Sequence, residues 1–182
     1  MRNHKSSYPF FVMKKLLLFA ILSGMTLSLK AMPDIYVCIF DSSGTPTNIR
    51  NSPNGQIVKS LPLPEGGYAV TLLAEKNGWW KIAPVIDVYG GDEYEIPLNG
   101  SATGYWIHNS VLGFTIAGDP TDAIRQRPSK NAKAMTIPVG VELQFHPVAL
   151  KGNWVKAVSN DGRLTGWLHR DRICYNPLTT CP

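Results

Sequence analysis

The sequence lacks the length and the motifs of a large enzyme. Its 182 residues suffice for one domain or two small ones. It contains no G-x-S-x-G, H-E-x-x-H or P-loop motif and no Cys-x-x-Cys pair. Its four histidines are spaced too widely for a zinc site. We therefore expect no enzymatic activity, no metal and no cofactor.

A membrane-spanning apolar run is also missing. The apolar stretch over 16–29 has 14 residues, whereas a membrane span needs about 20. It follows Lys14 and Lys15 and precedes Ala31, which is the pattern of a signal peptide cleaved near Ala31. An uncleaved anchor is the minor alternative, and translation starts at either Met1 or Met13. The sequence predicts a secreted or periplasmic envelope protein without a membrane span once residues 1–31 are removed.

Excess positive charge is absent from the mature chain. The formal net charge is +5, but residues 1–31 hold five basic residues and no acidic one, which leaves 13 of each sign. Residues 32–116 carry a net charge of −4 and residues 117–182 one of +4. These opposite charges favour either docking of the two parts or two unlike ligand surfaces. Four scattered basic residues without interleaved aromatics make no nucleic-acid site: Arg125, Arg127, Lys130 and Lys133.

Cysteine is scarce, and its three positions all lie in the exported part, where disulfides persist. Cys174 and Cys181 flank a turn-forming Asn176-Pro177, so we predict that they form a small C-terminal disulfide. Cys38 then remains a lone buried thiol in an apolar strand. Pairing of Cys38 with either C-terminal cysteine stays open, because sequence alone does not determine connectivity.

Helical periodicity is missing as well, since no segment outside 1–31 shows an apolar repeat of 3.6 residues. The sequence therefore predicts an all-β protein. Strands are predicted over 70–75 and 79–83, on either side of the hairpin signal Asn77-Gly78. A second hairpin is predicted between strands over 141–145 and 154–158.

What the sequence does have is an internal repeat. A shift of 75 residues matches Ile49-Arg50 with Ile124-Arg125, Trp79 with Trp154 and Lys81 with Lys156. A shift of 61 residues matches Trp106-Ile107-His108 with Trp167-Leu168-His169. The difference of 14 residues is an insertion in the first copy, between Ile82 and Gly104, which is acidic and contains tyrosine.

The order of these motifs resembles the bacterial SH3-like (SH3b) family. Its members have hydrophobic-Arg-x-x-Pro, then Gly-Trp-x-Lys-hydrophobic, then Gly-Trp-hydrophobic-His. The chain departs from this pattern where Tyr105 stands between Gly104 and Trp106, and where Asn153 replaces glycine. The resemblance implies two small SH3-like barrels in tandem, a first copy over 32–116 with the insertion and a second copy over 117–182 with a C-terminal extension. It also implies a binding module of an exported cell-wall protein.

A cysteine peptidase of the kind fused to such modules needs a catalytic domain, for which two barrels leave no room. His108 and His169 recur at equivalent positions, so we interpret them as packing or hydrogen-bonding residues. His146 precedes a proline and is predicted to be a loop residue. The acidic side chains of the insertion are interpreted as solvated rather than as a calcium site: Asp87, Asp92, Glu93 and Glu95.

Aromatic residues are the best candidates for ligand contacts. Four tryptophans at family positions are interpreted as structural: Trp79, Trp106, Trp154 and Trp167. If Trp79 faces inward, strand alternation turns Trp80 outward. The sequence then predicts an exposed cluster of Trp80, Tyr89, Tyr94 and Tyr105. The equal alternative is that the insertion folds over Trp80 and buries it.

Three functional hypotheses follow. The first is a non-enzymatic exported module that recognises a cell-envelope ligand, foremost a peptidoglycan peptide, through the aromatic cluster and an interdomain groove. In this hypothesis Arg125 and Arg127 contact carboxylates of wall peptides or acidic glycans. The second is a protein-protein interaction or inhibitor module, whose insertion engages an envelope enzyme or a partner subunit. A hydrolase with an unrecognised site is the third and weakest.

Overall fold

The computed structural model describes residues 34–63, 66–90 and 94–176. The predicted signal peptide, the insertion residues Asp92 and Glu93, and Cys181 lie outside these ranges. The segment Met32–Pro182 forms one compact unit. A helix with the length and apolarity to cross a membrane does not occur in the described ranges.

The described residues fold into β-strands joined by turns and short 3-10 helices, with no α-helix among them, so the all-β prediction is confirmed. The first copy contains the strands β1 Ile35–Ile39, β2 Thr47–Arg50, β3 Ile57–Leu61, β4 Gly67–Lys76, β5 Trp79–Tyr89, β6 Tyr94–Pro97, β7 Tyr105–His108, β8 Leu112–Gly113 and β9 Thr115–Ile116. The second contains β10 Phe145–Lys151, β11 Trp154–Ser159, β12 Thr165–His169 and β13 Ile173–Cys174. The 3-10 helices are Asn109–Val111, Pro120–Asp122 and Arg170–Arg172.

Three antiparallel sheets result. The largest has the order β3-β2-β7-β5-β4-β1-β8, with β6 added to β5. The second is β10-β11-β12, and the third pairs β13 with β9. In this third sheet the last strand of the second copy pairs with the end of the first copy, Ile173 opposite Ile116.

The Asn77-Gly78 hairpin is confirmed. Asn77 has φ 53° and Gly78 has φ 79°, both in the left-handed region that a two-residue hairpin turn needs. Strand β5 then continues to Tyr89 through the inserted residues, which pair with β6. The insertion is thus an extension of this hairpin by one further strand.

The predicted strand over 141–145 is wrong, because β10 begins at Phe145. The N–H of Val141 donates to the carbonyl of Pro138 at 3.2 Å, and Gly140 between them has φ 70°. These residues therefore form a turn, and the strand begins only where Phe145 pairs with Ser159.

The repeat is visible in the structure. In the first copy β7 leads into the helix Asn109–Val111 and then β8, and in the second β12 leads into Arg170–Arg172 and then β13. Trp79 lies opposite His108, and Trp154 lies opposite His169. Their ring centroids are 5.1 Å apart in both copies, edge to face. The two histidines are packing residues at equivalent positions, as predicted.

On the central strands of each copy, the side that packs into the core is the side that the sequence analysis predicted to face solvent. Trp80 and its counterpart Val155 are fully buried, whereas Trp154, Trp106 and Trp167 are only half-buried. Trp79 is also buried, at 9% exposure, but it lies beneath Arg50 and not in the core cluster. Ile82, Ile107, Ala157 and Leu168 share the inward face. Alternation along the strands holds, but its phase is opposite to the one that an inward Trp79 would give.

The two copies share one continuous core. Phe114 of the first copy stacks on Phe145 of the second, with ring centroids 6.0 Å apart, and their backbones hydrogen-bond to each other. All four ion pairs in the described part lie within the second copy. Among the described residues no ion pair joins the copies, so their opposite net charges do not hold them together. Apolar packing and hydrogen bonds make the contact, among them that of Trp80 Nε1 to the carbonyl of Pro147. The division at 116/117 into two domains stays a prediction.

Candidate functional site

A groove between the copies forms a concave site with a volume of about 540 Å³. First-copy residues from β1, the loop after it and β4 form one wall, among them Asp41, Ser42, Leu63 and Tyr68. Gln144, His146 and Asn160 of the second copy form the other. The predicted interdomain groove is thus present, although the aromatic residues expected beside it are elsewhere.

His146 links the two walls. It lies in β10 rather than in a loop, which corrects the sequence prediction. Its Nδ1 is 2.6 Å from the carbonyl oxygen of Leu112 in the first copy, and its Nε2 is 2.6 Å from Oδ1 of Asn160. Asn160 in turn donates to Glu142 at 3.2 Å. This network holds the second-copy wall of the groove against the first copy.

Asp41 supplies a negative charge at the groove. Burial by itself would raise its pKa, but hydrogen bonds from Thr47 and Ser43 outweigh burial and hold the pKa below its usual range. The Thr47 hydroxyl donates to Oδ2 at 2.7 Å and the Ser43 N–H to Oδ1 at 3.0 Å. Asp41 is therefore a fixed anion at neutral pH, suited to a ligand ammonium group.

Trp80 is not exposed. Its side chain is fully buried, and its Nε1 donates to the carbonyl of Pro147 at 3.1 Å. The prediction that Trp80 belongs to an exposed aromatic cluster is therefore wrong. Of the two alternatives the buried one is observed, and the hydrogen bond ties the indole to the second copy. Trp80 lies in the core because this side of β5 faces inward, as does the side of β11 that carries Val155.

The three tyrosines predicted with Trp80 lie in different environments. Tyr105 is buried, and its hydroxyl accepts from the Ser101 N–H at 3.4 Å. Tyr89 is half-buried, with its ring 6.5 Å from that of Tyr175. Tyr94 is 57% exposed. The structure therefore leaves Tyr94 as the one exposed member of the predicted cluster.

The end of the insertion hairpin forms a small cavity of about 200 Å³ between Asp87, Tyr89, Tyr94 and Glu95. Asp87 and Glu95 face each other across β5 and β6. Burial and the neighbouring Glu95 raise the pKa of Asp87. The described residues contain no cluster of three His, Cys, Asp or Glu side chains placed to hold a metal ion. Asp92 and Glu93 lie outside the described ranges.

The two predicted arginines are separate from the groove. Arg125 is half-buried, pairs with Trp167 across strands and donates to the carbonyl of Ala132 at 3.4 Å. Arg127 is exposed and lines a second concavity of about 490 Å³ together with Lys151. Neither arginine lies near the tyrosines of the insertion in the strand order, so the predicted site residues do not form one site.

Cys38 is a free, buried thiol in β1, as predicted. It donates a hydrogen bond to the carbonyl of Tyr175. Burial raises the pKa of the Cys38 thiol to about 12, so the nucleophilic thiolate is scarce at neutral pH. The predicted disulfide between Cys174 and Cys181 stays a prediction, because Cys181 lies outside the described residues.

Sequence reasoning missed the groove residues Leu63, Gln144 and Asn160. No motif marks them, because they are distant along the chain and meet only when the copies pack. The outward phase of the paired tryptophans was also missed, although one signal pointed to it. The strands carry Trp80, Ile82 and Val88 in alternation with Lys81 and Asp87, which favours an inward Trp80.

The chain has a distant structural similarity to NlpC proteins. It aligns with NlpC1 from Trichomonas vaginalis at 13% identity and a TM-score of 0.30, covering 82% of this chain and 48% of that one. It aligns with NlpC2 from the same organism at 12% identity and a TM-score of 0.28, covering 80% and 49%. The chain thus spans about half the length of these two structures. No family model and no curated protein matches it.

Proposed function

We propose that the protein is an exported, non-enzymatic binding module in which two SH3-like barrels in tandem recognise a peptidoglycan peptide in the cell envelope. The observation that carries this proposal is the groove of about 540 Å³, whose walls come from both copies. A site of this size accepts a short peptide rather than a globular partner.

The chemistry of the groove suits a peptide with mixed charge and polarity. Asp41 pairs with an ammonium group, such as that of a diamino acid residue in a wall peptide. Leu63, which is 55% exposed beside the groove, covers apolar side chains of the ligand. Gln144 and Ser42 offer hydrogen bonds to the ligand backbone.

The SH3-like assignment of each copy is supported by the sequence motifs and by their place on the strands. The Trp-x-Lys motif starts the second strand of each hairpin, β5 and β11. The Trp-hydrophobic-His motif lies on the next strand in the sheet, β7 and β12, and a 3-10 helix follows it in both copies. Both copies therefore use the same strand-helix-strand ending.

An NMR titration tests the proposal. Isotope-labelled mature protein, residues 32–182, is titrated with a defined muropeptide and with its peptide alone. We expect both ligands to shift the amide signals of residues 41–42, 63 and 144. Shifts confined to other surfaces, or none at saturating ligand, would overturn the groove as the site.

Leu63→Asp and Val139→Asp form a matched pair for this titration. Both residues are exposed and apolar, at 55% and 99%, but only Leu63 lines the groove. We expect Leu63→Asp to weaken peptide binding roughly tenfold, since it replaces the apolar contact with the ligand side chains by a hydrated carboxylate. Val139→Asp should bind like the unmodified protein.

The non-enzymatic part of the proposal has its own test. Purified sacculi are incubated with the protein, and soluble muropeptides are measured by chromatography. We expect no release above the buffer control. Release that disappears in Cys38→Ser would establish a hydrolase instead.

A protein-protein interaction module is the second candidate, supported by Tyr94. This side chain is 57% exposed on β6, a strand that among the described residues pairs with β5 alone, and a strand edge without a neighbour can pair with a partner chain. A photo-cross-linking residue at position 94 is compared with one at position 139 in exporting cells. A single envelope protein captured at 94 but not at 139, and lost in Asp87→Lys, favours this candidate.

A further inference from the structure

Each copy carries six equivalent side chains on the side of the sheet away from the core, three basic, two tryptophans and one histidine, of which Trp79 is buried beneath Arg50. In the first copy, which we call the first outer face, they are Arg50, Trp106, Lys81, His108, Trp79 and Lys76. In the second copy, the second outer face, they are Arg125, Trp167, Lys156, His169, Trp154 and Lys151. The same residue type stands at every one of the six positions.

Strand register arranges each set as two rows. Arg50 lies opposite Trp106, which lies opposite Lys81, so an indole stands between two cations. In the second row His108 lies opposite Trp79, which lies opposite Lys76. Directly opposed residues project from the same side of a sheet. The cations of the first row are two strand spacings apart, about 10 Å.

The second outer face has the same register. Its first row is Arg125, Trp167 and Lys156, and its second row is His169, Trp154 and Lys151. The insertion and the different turns of the two copies have therefore left these two rows unchanged.

On β5 and β7 and their counterparts β11 and β12, the residues that are identical between the copies lie on the outward side. Over 79–82 and 105–108 the four outward residues are the same in both copies. The four inward residues all differ, with Trp80, Ile82, Tyr105 and Ile107 replaced by Val155, Ala157, Gly166 and Leu168. A repeat retained for its fold alone keeps the core and varies its surface, since burial determines stability. The reverse pattern points to a ligand for the outward side.

In the described ranges the lysines and arginines of these faces have no acidic partner, whereas His169 of the second outer face lies 3.1 Å from Asp171. Among the described residues, no ion pair involves Arg50, Lys76 or Lys81, nor their three counterparts. The first copy as a whole has a net charge of −4, yet three of its four basic residues stand on the first outer face. Concentration of positive charge on an acidic module calls for an anionic partner.

The aromatic side chains define the partner further. Trp106 and Trp167 are half-exposed between the cations, and an indole face packs well against the CH groups of a sugar ring. Trp79 is covered by Arg50, whose Cζ is 5.9 Å from the ring centroid, so this indole mainly positions the guanidinium. The order cation, indole, cation matches a sugar ring between two carboxylates.

We infer that each outer face binds a carboxylate-bearing glycan chain, so that the protein holds two equivalent glycan sites. None of the twelve side chains of the two outer faces lines the groove, so this inference does not depend on the proposed peptide site. Two equal sites on one chain give higher affinity for a long polymer than for a short oligomer, because the second contact is intramolecular.

The test uses a galacturonate oligomer as the probe. The indole N–H signals of Trp106 and Trp167 report the two faces separately by NMR, and calorimetry gives the stoichiometry. We expect both indole signals to shift and two oligomers to bind per chain. The same oligomer with its carboxylates reduced to alcohols should not bind, and raised salt should weaken binding.

Charge-reversal variants assign the sites. Lys81→Glu should abolish the shift of Trp106 and leave one oligomer per chain, and Lys156→Glu should do the same for Trp167. Lys59→Glu is the matched control, because this exposed lysine has Ala134 as its counterpart at the shift of 75. Lys81→Gln repeats the first measurement if the charge reversal impairs folding. Leu63→Asp, the groove variant, should leave glycan binding intact.

Three results would overturn the inference. Polyglutamate that binds as tightly as the galacturonate oligomer would assign the faces to an acidic peptide. Equal losses for Lys59→Glu and Lys81→Glu would show nonspecific attraction. If neither indole signal shifts while the protein is folded, the outer faces do not bind the glycan.

Discussion

Trp80 and Val155 occupy equivalent positions in the two copies. The larger side chain of Trp80 has a structural role that Val155 does not have. The indole fills space at the contact with the second copy and gives its N–H to the carbonyl of Pro147 at 3.1 Å. A valine there would leave both a cavity and an unpaired buried carbonyl. The aromatic residue that is missing from the second copy therefore serves packing between the copies.

We expect Trp80→Ala to reduce the free energy of unfolding by about 3–5 kcal/mol, because a fully buried indole is removed. The measurement is urea denaturation followed by circular dichroism. Trp106→Ala is the control, since Trp106 is half-exposed and should cost less. Equal losses in the two variants would contradict the inward assignment of Trp80.

The Cys38 thiol makes a second prediction at the residue scale. Its pKa is raised from 9.0 to about 12 by burial, so the folded state keeps the proton that the unfolded state loses. The contribution of the thiol to stability is complete below about pH 9 and is lost as the pH rises toward 12. We expect the free energy of unfolding to fall over this range more steeply than in Cys38→Ala. Parallel pH profiles would contradict the burial of the thiol.

At the scale of elements, the insertion extends the β4–β5 hairpin and adds β6 at its side. Turn chemistry predicted the hairpin well, because Asn77-Gly78 readily adopts the positive φ angles that the turn needs. The segment 141–144 was mispredicted because its apolar residues resemble a strand, while the turn at Gly140 redirects the backbone. Local pattern thus located turns better than strand ends.

The facing carboxylates of Asp87 and Glu95 make a prediction for this hairpin. Burial and the charge of Glu95 raise the pKa of Asp87, so its stabilising contribution is present below its unfolded pKa of about 4 and is lost as the pH rises. We therefore expect Asp87→Asn to be more stable than the unmodified protein at neutral pH. The gain should vanish near about pH 3, where Asp87 is protonated in both states.

Thermal denaturation at the two pH values measures this difference. Asp122→Asn is the control, because Asp122 pairs with Arg172 at 2.9 Å and its loss should not stabilise the protein. A destabilised Asp87→Asn at neutral pH would show that the carboxylate has a partner that outweighs its burial.

At the scale of the whole molecule, the continuous core makes the copies interdependent. Phe145 of the second copy stacks on Phe114, and β13 completes a sheet with β9. Each copy therefore buries apolar surface that would be exposed if the other were removed.

We accordingly expect residues 32–182 to unfold in one cooperative transition. Urea denaturation is followed by tryptophan fluorescence and by NMR signals of each copy, and the midpoints should coincide. Phe145→Ala should lower the midpoint for both copies together. Two separate transitions would show that the copies are independent domains.

The candidate site was predictable only in part. The opposite net charges of the copies led to the prediction of an interdomain groove, and a groove is present although no ion pair joins the copies in the described part of the chain. The residues that line the groove were not predictable, since Leu63 and Gln144 belong to no motif and are brought together by packing. Trp80 and Tyr105 were assigned to a surface because Trp79 was taken as inward, although the alternation of Trp80 and Ile82 with Lys81 favours the opposite phase.

The sequence by itself determined the all-β class, the two copies and the hairpin turns, because these depend on periodicity and on local backbone preferences. Tertiary structure decided which side of each strand is buried, what Trp80 contacts, and which residues of the two copies meet. Those outcomes depend on contacts between residues far apart in the chain, such as Trp80 with Pro147 and His146 with Leu112. A local sequence pattern shows that residues alternate along a strand, but packing against distant residues determines which side of the strand is buried.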